Sequence, residues 1–361
     1  MFSRRQVVIG GIPVGGDAPV VVQSMTNTPT ADVEATTAQI RALATAGAGL
    51  VRVAVPDQAA LSALAELVAR APVPLIADIH FDYRLAVGAL ERGAAAVRIN
   101  PGNIGGPERV REVARAAAAH GAVIRIGVNS GSLQRELRPL EERDPAGALV
   151  ESALRFCALF EDLGFEALKV SVKSSSPVVT IAANRRLARR IDYPLHLGVT
   201  EAGTPWAGSI RSAVALGTLL SEGVGDTIRV SLTGDPVEEV RVAREILRSL
   251  GLMPGGSRVI SCPTCGRTQV ALESLAVEVE RRLEELEEPL RKLGRELEVA
   301  VMGCVVNGPG EARKADFGIA GGKGEGVVFA GGRPVKKVPQ ERLVDELFAQ
   351  IAAWMAERGP D

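Results

Sequence analysis

Aromatic residues are scarce. They make up 3% of the 361-residue chain, too few for the stacking platforms that hold single-stranded nucleic acid. Neither sign of charge is in excess: 42 Lys and Arg face 43 Asp and Glu, a net charge of −1. There is thus no bulk field to draw the chain to nucleic acid or to an anionic membrane. Long apolar runs are missing. Stretches such as Ala116–Ala119 fall far short of the roughly 18 residues a membrane-spanning helix needs. The opening Met1-Phe2-Ser3-Arg4-Arg5-Gln6 is not followed by the apolar stretch of a secretory signal. These absences predict a soluble, cytoplasmic protein that binds neither nucleic acid nor membrane. Cysteine is limited to Cys157, Cys262, Cys265 and Cys304, which excludes a disulfide scaffold in a chain this long. None of the three histidines follows His196, so a zinc site of mixed Cys and His ligands is excluded from the last third.

What is present is a core-forming composition, 46% hydrophobic, with a regular alternation. Candidate strands are Val20–Met25, Leu50–Ala54, Leu75–Ile79, Ala96–Asn100, Val123–Val128, Ala167–Val172, Leu195–Thr200 and Thr227–Leu232. Ala-, Leu- and Arg-rich helical patterns fill the gaps, from Asp32–Ala46 to Pro236–Leu250. Thr30-Ala31-Asp32 offers a cap for the first helix. Gly47, Gly93, Gly121 and Gly164 follow helices, where a residue without Cβ most easily turns left-handed. Repeated strand–helix pairs over about 240 residues predict a (β/α)8 TIM barrel rather than an open doubly wound sheet. Gly251–Ser257 reads as a linker. The predicted domains are 1–253, the barrel, and 254–361, a small α+β unit. That unit should contain strand Val259–Ser261, one charged helix from about Val270 to Gly294, strands near Glu298–Met302, Phe317–Ala320 and Gly326–Phe329, and a final helix Pro339–Glu357.

Barrel chemistry collects at the carboxyl ends of the strands. There the sequence places Arg52, Arg98, Arg125, Lys173 and Arg229, with Asn129, Thr200 and Ser231 beside them. Buried cations are costly unless anions compensate them, and guanidinium groups match phosphate oxygens. The bland reading is pairing with Asp78, Glu201 or helix carboxylates. With two acids in the ring, the set as a whole points instead to a small polyanion, most simply a diphosphate. Glu201, a carboxyl among cations, is the candidate proton donor or acceptor; its structural alternative is an ion pair with Arg229 or Lys173. His80 and His196 are read as hydrogen-bonded rather than catalytic.

In the second unit, Cys262-Pro263-Thr264-Cys265 is a C-x2-C knuckle after a strand. By itself it fits zinc, a redox disulfide or an iron–sulfur cluster. Cys304 adds a third thiolate in a glycine-rich turn, and no second C-x2-C pair exists. Cys157 lies on the face of a barrel helix and is read as packing. Three thiolates leave one open position, which a carboxylate such as Glu311 could fill.

Val22-Gln23-Ser24-Met25-Thr26-Asn27-Thr28, Ala77-Asp78-Ile79-His80-Phe81-Asp82-Tyr83-Arg84, Arg98-Ile99-Asn100-Pro101-Gly102-Asn103-Ile104-Gly105, Leu197-Gly198-Val199-Thr200-Glu201-Ala202-Gly203 and Gly303-Cys304-Val305-Val306-Asn307-Gly308-Pro309-Gly310-Glu311 resemble the signatures of the 4-hydroxy-3-methylbut-2-en-1-yl diphosphate synthases. The resemblance runs from about Arg4 to the C-terminal helix. It implies reductive opening and dehydration of 2-C-methyl-D-erythritol 2,4-cyclodiphosphate in the non-mevalonate isoprenoid pathway. It implies two electrons from reduced ferredoxin or flavodoxin through a [4Fe–4S] cluster, with ligands Cys262, Cys265, Cys304 and Glu311. The family's substrate cations map to Arg52, Arg98, Arg125, Lys173 and Arg229, its polar contacts to Asn129, Thr200 and Ser231, and its active-site carboxylate to Glu201. The resemblance also implies a homodimer whose active site is shared between subunits. The rival readings from the residues alone are a pterin-type barrel transferase with a structural metal knuckle and a zinc-ribbon nucleic-acid binder.

Overall fold

The structure is a computed structural model that describes residues 3–100, 102–253, 256–304 and 314–357. The chain divides into two compact units, Met1–Met253 and Pro254–Asp361.

The first unit opens with a hairpin, β1 (Gln6–Ile9) and β2 (Ile12–Gly15). The barrel strands follow: β3 (Val21–Met25), β4 (Leu50–Ala54), β5 (Leu75–Asp78), β6 (Ala96–Ile99), β7 (Val123–Asn129), β8 (Leu168–Lys173), β9 (His196–Leu197) and β10 (Thr227–Ile228). Between and after them run α1 (Val33–Thr45), α2 (Gln58–Arg70), α3 (Tyr83–Glu91), α4 (Pro107–Ala119), α5 (Arg138–Arg143), α6 (Pro145–Asp162), α7 (Pro177–Ala188), α8 (Pro205–Ser221) and α9 (Pro236–Ser249). The strands pair in parallel in the order β8-β7-β6-β5-β4-β3-β10-β9. A single parallel bridge, Val170 to Leu195, joins the two ends and closes the barrel. Helix starts obey local chemistry. Asp32 caps α1 by accepting from the Ala35 amide at 3.0 Å, and Asp57 does the same for α2 through Ala60.

Two differences from the sequence reading matter. β9 and β10 are two residues each, not six. Past them the backbone bonds to neighbouring strands become sparse: Arg229 N–H still donates to Leu197 O and Thr200 N–H to Ser174 O, just beyond β8, but the Leu232 N–H turns to a side chain, Glu239 Oε1. The hairpin β1–β2 precedes the first strand expected from the sequence. Its turn is Gly10-Gly11, both at positive φ, as a two-residue turn matching strand twist requires. Val7, Ile9 and Val14 of the hairpin pack on Leu50, Ile76, Ala96 and Val123, the amino-terminal ends of barrel strands. The hairpin therefore plugs the floor, leaving the carboxyl ends as the open mouth.

The second unit is a five-stranded mixed sheet, β11 (Gly256–Ser261), β12 (Glu296–Met302), β13 (Phe317–Gly321), β14 (Glu325–Ala330) and β15 (Arg333–Pro339), in that order. The first three strands run parallel and the last two pairings are antiparallel. Its helices are α10 (Leu272–Glu285), α11 (Glu287–Lys292) and α12 (Leu343–Ala356). Leu272, Val279, Leu283, Leu343, Leu347 and Ile351 pack with Val299, Val301 and Ile319 in one core. The single helix expected over about 270–294 is two helices. Pro289 sits early in α11, where its missing N–H is tolerated only at a helix start. Edge strand β15 is likewise additional to the expected strands. It carries Pro334 and a lysine pair, as an unpaired edge tolerates.

Candidate functional site

Alternation along a strand puts residues i, i+2 and i+4 on one face. In the barrel this stacks side chains toward the mouth: Lys169, Ser171 and Lys173 on β8, and Arg125, Gly127 and Asn129 on β7. Neighbouring strands supply Arg98, in register with both Asp78 and Arg125, and Arg52, in register with Met25. Arg229 lies just past β10, its N–H donating to Leu197 O at 3.0 Å. The structure thus brings Arg52, Arg98, Arg125, Lys173 and Arg229 to the barrel interior; the first four are buried. Asn129, Thr200 and Ser231 are half-buried near the same strand ends, and Glu201 is exposed.

Asp78 is the hub. Its Oδ1 accepts from Arg98 Nη1 at 3.1 Å, and its Oδ2 lies 3.6 Å from Arg52 Nε and 3.5 Å from His80 Nε2. Arg52 also donates to Met25 Sδ, from Nη2 at 2.9 Å and Nε at 3.2 Å. With its amide turned to satisfy its neighbours, Asn129 accepts from Arg98 Nη2 at 3.3 Å. Arg125 donates from Nη1 to Ser171 Oγ at 2.8 Å, while its Nε and Nη2 have no partner among the described residues. Arg229 pairs at 3.3 Å with Glu239 on α9. Glu239 is one of the helix carboxylates that the bland reading allowed as partners, and it, rather than the structural alternative Glu201, pairs with Arg229. Only its place in the first turn of α9, facing the strand end, gave any signal.

Among the described residues, the carboxylates in ion pairs with these five mouth cations are two, Asp78 and Glu239. The imbalance shows in the electrostatics. Burial pushes the Asp78 carboxyl up, but Arg52, a hydrogen bond from His80, Arg98 and Arg125 together hold it far below the usual carboxylate range. Burial, with Arg229 and Arg98 nearby, lowers Arg52 to about 10 despite Asp78. Burial, then the neighbouring guanidinium charges, pulls Arg125 and Lys173 well below their ordinary values. The mouth is a desolvated cup with surplus positive charge, suited to a compact polyanion. Glycine makes the room: at Gly127 an added Cβ would run into Arg98 Nε.

Glu201 has φ of 52°, the one positive value on a non-glycine residue among the described residues. Holding glutamate in the left-handed region costs about 1–3 kcal/mol and marks a residue whose direction matters. A separate cleft of about 750 Å³, lined by Arg5, Arg189, Arg190 and Tyr193 among others, opens at the floor of the barrel. None of the residues singled out from the sequence lines it.

In the second unit, Cys262 follows β11 and Cys304 follows β12, the neighbouring parallel strand. The Gly303 N–H donates to Cys262 Sγ at 3.3 Å, and the Cys262 N–H to Val301 O at 3.3 Å. Cys265 lies in a turn closed by Cys265 N–H to Thr268 Oγ1 (3.1 Å) and Thr268 N–H to Cys265 O (2.9 Å). That turn is tied to Cys304's neighbour by Gln269 N–H to Gly303 O at 3.0 Å. A Cβ at Gly303 would stand 2.9 Å from Thr268 Cγ2, so glycine lets the two segments close. All three thiols are unbridged, and the Arg267 amide, ahead of Thr268, lowers the exposed Cys265 thiol. Thiols beside backbone N–H donors fit an iron–sulfur group, whose sulfurs accept such bonds. Among the described residues no three His, Cys, Asp or Glu side chains converge as ligands of a single ion; a four-iron cluster spreads its thiolates over separate irons. Glu311 lies outside the described residues. Cys157 is buried in the core of the first unit, and burial pushes its thiol up to about 12, in keeping with packing.

The GcpE TIM-barrel domain family matches residues 4–244, and the GcpE protein C-terminal domain family matches residues 258–353. The 4-hydroxy-3-methylbut-2-en-1-yl diphosphate synthase (flavodoxin) of Clostridium acetobutylicum is 55% identical over 350 residues, covering 97% of this chain and 98% of its own. The enzyme of the same name from Geobacter sulfurreducens is 54% identical over 356 residues, 99% of each chain. Among solved structures, 3-dehydroquinate dehydratase from Geobacillus kaustophilus covers 68% of this chain and 98% of its own at 16% identity and a TM-score of 0.49, too distant to bear on chemistry. With both of its domains matched and full-length relatives above half identity, this chain belongs to the GcpE family.

Proposed function

We propose that the chain performs the reaction of these relatives. It opens 2-C-methyl-D-erythritol 2,4-cyclodiphosphate reductively and dehydrates it to 4-hydroxy-3-methylbut-2-enyl diphosphate. The observation that carries the substrate reading is the surplus of five mouth cations over the two carboxylates paired with them among the described residues. Arg52, Arg98, Arg125, Lys173 and Arg229 hold the ring diphosphate, and Asn129, Thr200 and Ser231 orient its oxygens and hydroxyls. The same cations offset the charge that the diphosphate gains when its bond to carbon breaks. Glu201, held in its strained direction, moves the proton that lets the substrate hydroxyl leave as water.

Cys262, Cys265 and Cys304, with Glu311 as fourth ligand, would hold a [4Fe–4S] cluster. When bound it would relay from the reduced donor, one at a time, the two electrons that the ring opening consumes. Reduced flavodoxin, the donor in the relatives' names, is the expected source, with ferredoxin the alternative. The working unit is a homodimer in the cytoplasm with the active site shared between subunits. No helix of the described residues is long and apolar enough to cross a membrane. Turnover of the cyclic diphosphate by anaerobically reconstituted protein with a strong reductant tests the assignment. A brown, folded, iron-loaded protein that makes no hydroxymethylbutenyl diphosphate would sink it.

A further inference from the structure

Below the cation ring, on the same inward face of β8 as Lys173, lies Lys169. It is 0% exposed, and its Nζ has no hydrogen-bond partner among the described residues. It stands in register with Arg125. The groups that face it are Arg125 from β7, Arg52 from β4, His196 from β9 and Asp226 before β10, with Lys173 above it on its own strand. Of these only Asp226 is an acid, and it is already engaged: its Oδ2 accepts from the Leu195 N–H at 2.7 Å and its Oδ1 from Ser3 Oγ at 2.9 Å. His196 is buried with Nδ1 on Thr227 Oγ1 at 2.8 Å and Nε2 without a hydrogen-bond partner among the described residues. A fully buried amine beside Arg125, which has no carboxylate partner among the described residues, and within a group where cations outnumber acids, is pressed to shed its proton, with the engaged Asp226 as the one opposing charge named.

We propose that Lys169 is a positioning residue whose protonation is coupled to occupancy of the cation ring. It is a neutral amine while the mouth is empty and an ammonium once a diphosphate sits above Arg125. The direction follows from the surroundings. Burial first, then Arg125 and Arg52, lowers Lys169 well below its ordinary value, with Asp226 opposing. A polyanion at the mouth cancels the guanidinium charges and removes the second cause. Binding then takes up a proton, and the new charge beside Arg125 adds to the positive field that holds the ligand. The inference rests on the diphosphate reading of the mouth.

The sign is testable. Between the lysine's value in the empty barrel and its higher value in the complex, affinity falls as pH rises, by up to about tenfold per pH unit for one linked proton. The cyclic diphosphate carries only strongly acidic phosphate oxygens, so it does not titrate near neutrality itself. Isothermal titration of this ligand into the oxidised holoenzyme at about pH 8, in HEPES and in Tris, reads proton uptake as the difference in binding heat. We expect uptake by the wild type and clearly less by Lys169→Met; Lys173 accounts for what remains. KM should rise severalfold more than kcat falls, and the slope of log kcat/KM against pH should flatten in the variant. Binding heat with no uptake in the wild type overturns the proposal, as does equal uptake by wild type and a folded Lys169→Met. If the methionine variant does not fold, Lys169→Gln, which keeps a neutral polar head, takes its place under the same criteria. No binding heat from the wild type would sink the substrate assignment instead.

Discussion

Gly198 stands where an added Cβ would lie 2.5 Å from the Nζ of Lys173 and 2.6 Å from the Arg229 carbonyl oxygen. The bare backbone at the end of β9 is what allows a lysine from β8 to lie across the barrel mouth. Gly127 does the same for Arg98. In each case the smallest residue faces a long cation on a nearby strand, so the ring is built from absent side chains as much as from present ones.

Filling either space should displace a cation rather than remove it. Gly127→Ala is expected to lower kcat/KM by roughly tenfold to a hundredfold, the worth of one charge-assisted contact of about 1.5–3 kcal/mol. Gly198→Ala should do the same and also cost about 1–3 kcal/mol of stability, because it meets backbone as well as Lys173. Steady-state kinetics and thermal denaturation of both variants check this. Unchanged KM in either one would show that the cation it crowds does not touch substrate.

Asp78 binds two buried arginines, so its loss leaves both uncompensated. Asp78→Asn should cost about 3–5 kcal/mol in the substrate-free protein. The pH dependence has a definite sign. Because the folded-state carboxyl is held far below its unfolded value, its stabilisation is complete above about pH 4 and is lost as pH falls toward the folded value. The stability gap between wild type and Asp78→Asn, measured by urea denaturation, should be flat through neutrality and close only in strong acid. A gap that closes near neutrality would contradict the pairing.

Glu201 combines a strained backbone with a candidate proton-transfer carboxyl. Glu201→Gln should lower kcat by about 10²–10⁴-fold with KM little changed. Glu201→Gly should be as inactive yet no less stable, because glycine accepts a φ of 52° without strain. A glycine variant that loses several degrees of Tm would mean that the side chain, not the active site, explains the backbone.

The cysteines should separate by accessibility. In protein stripped of iron, Cys265 is exposed and its thiol lowered by backbone amides, whereas Cys157 is buried and its thiol raised. Iodoacetamide followed by peptide mass spectrometry should label Cys265 first and leave Cys157 unmodified until the protein unfolds. Reconstitution with iron and sulfide beforehand should protect Cys262, Cys265 and Cys304 together. Protection of fewer than three would remove a ligand from the set.

The alternation of strand and helix, the capping aspartates, the cations at strand ends and the count of thiols could all be read along the chain. Each is a local property, set by periodicity, backbone preference or residue chemistry within a few positions. The two strand pairs overlooked there, β1–β2 and β14–β15, are both hairpins turned by Gly-Gly, Gly10-Gly11 and Gly331-Gly332, with all four glycines at positive φ. That dipeptide was a usable signal. What no local pattern carried was partnership. Tertiary structure decided that Asp78 serves Arg52 and Arg98 while Glu239 takes Arg229, that a bridge from Val170 to Leu195 closes the barrel, and that the buried Lys169 Nζ has no hydrogen-bond partner among the described residues. Periodicity says which face of a strand turns inward. Which charges then meet depends on the stagger of strands far apart in sequence, and only the closed barrel fixes it.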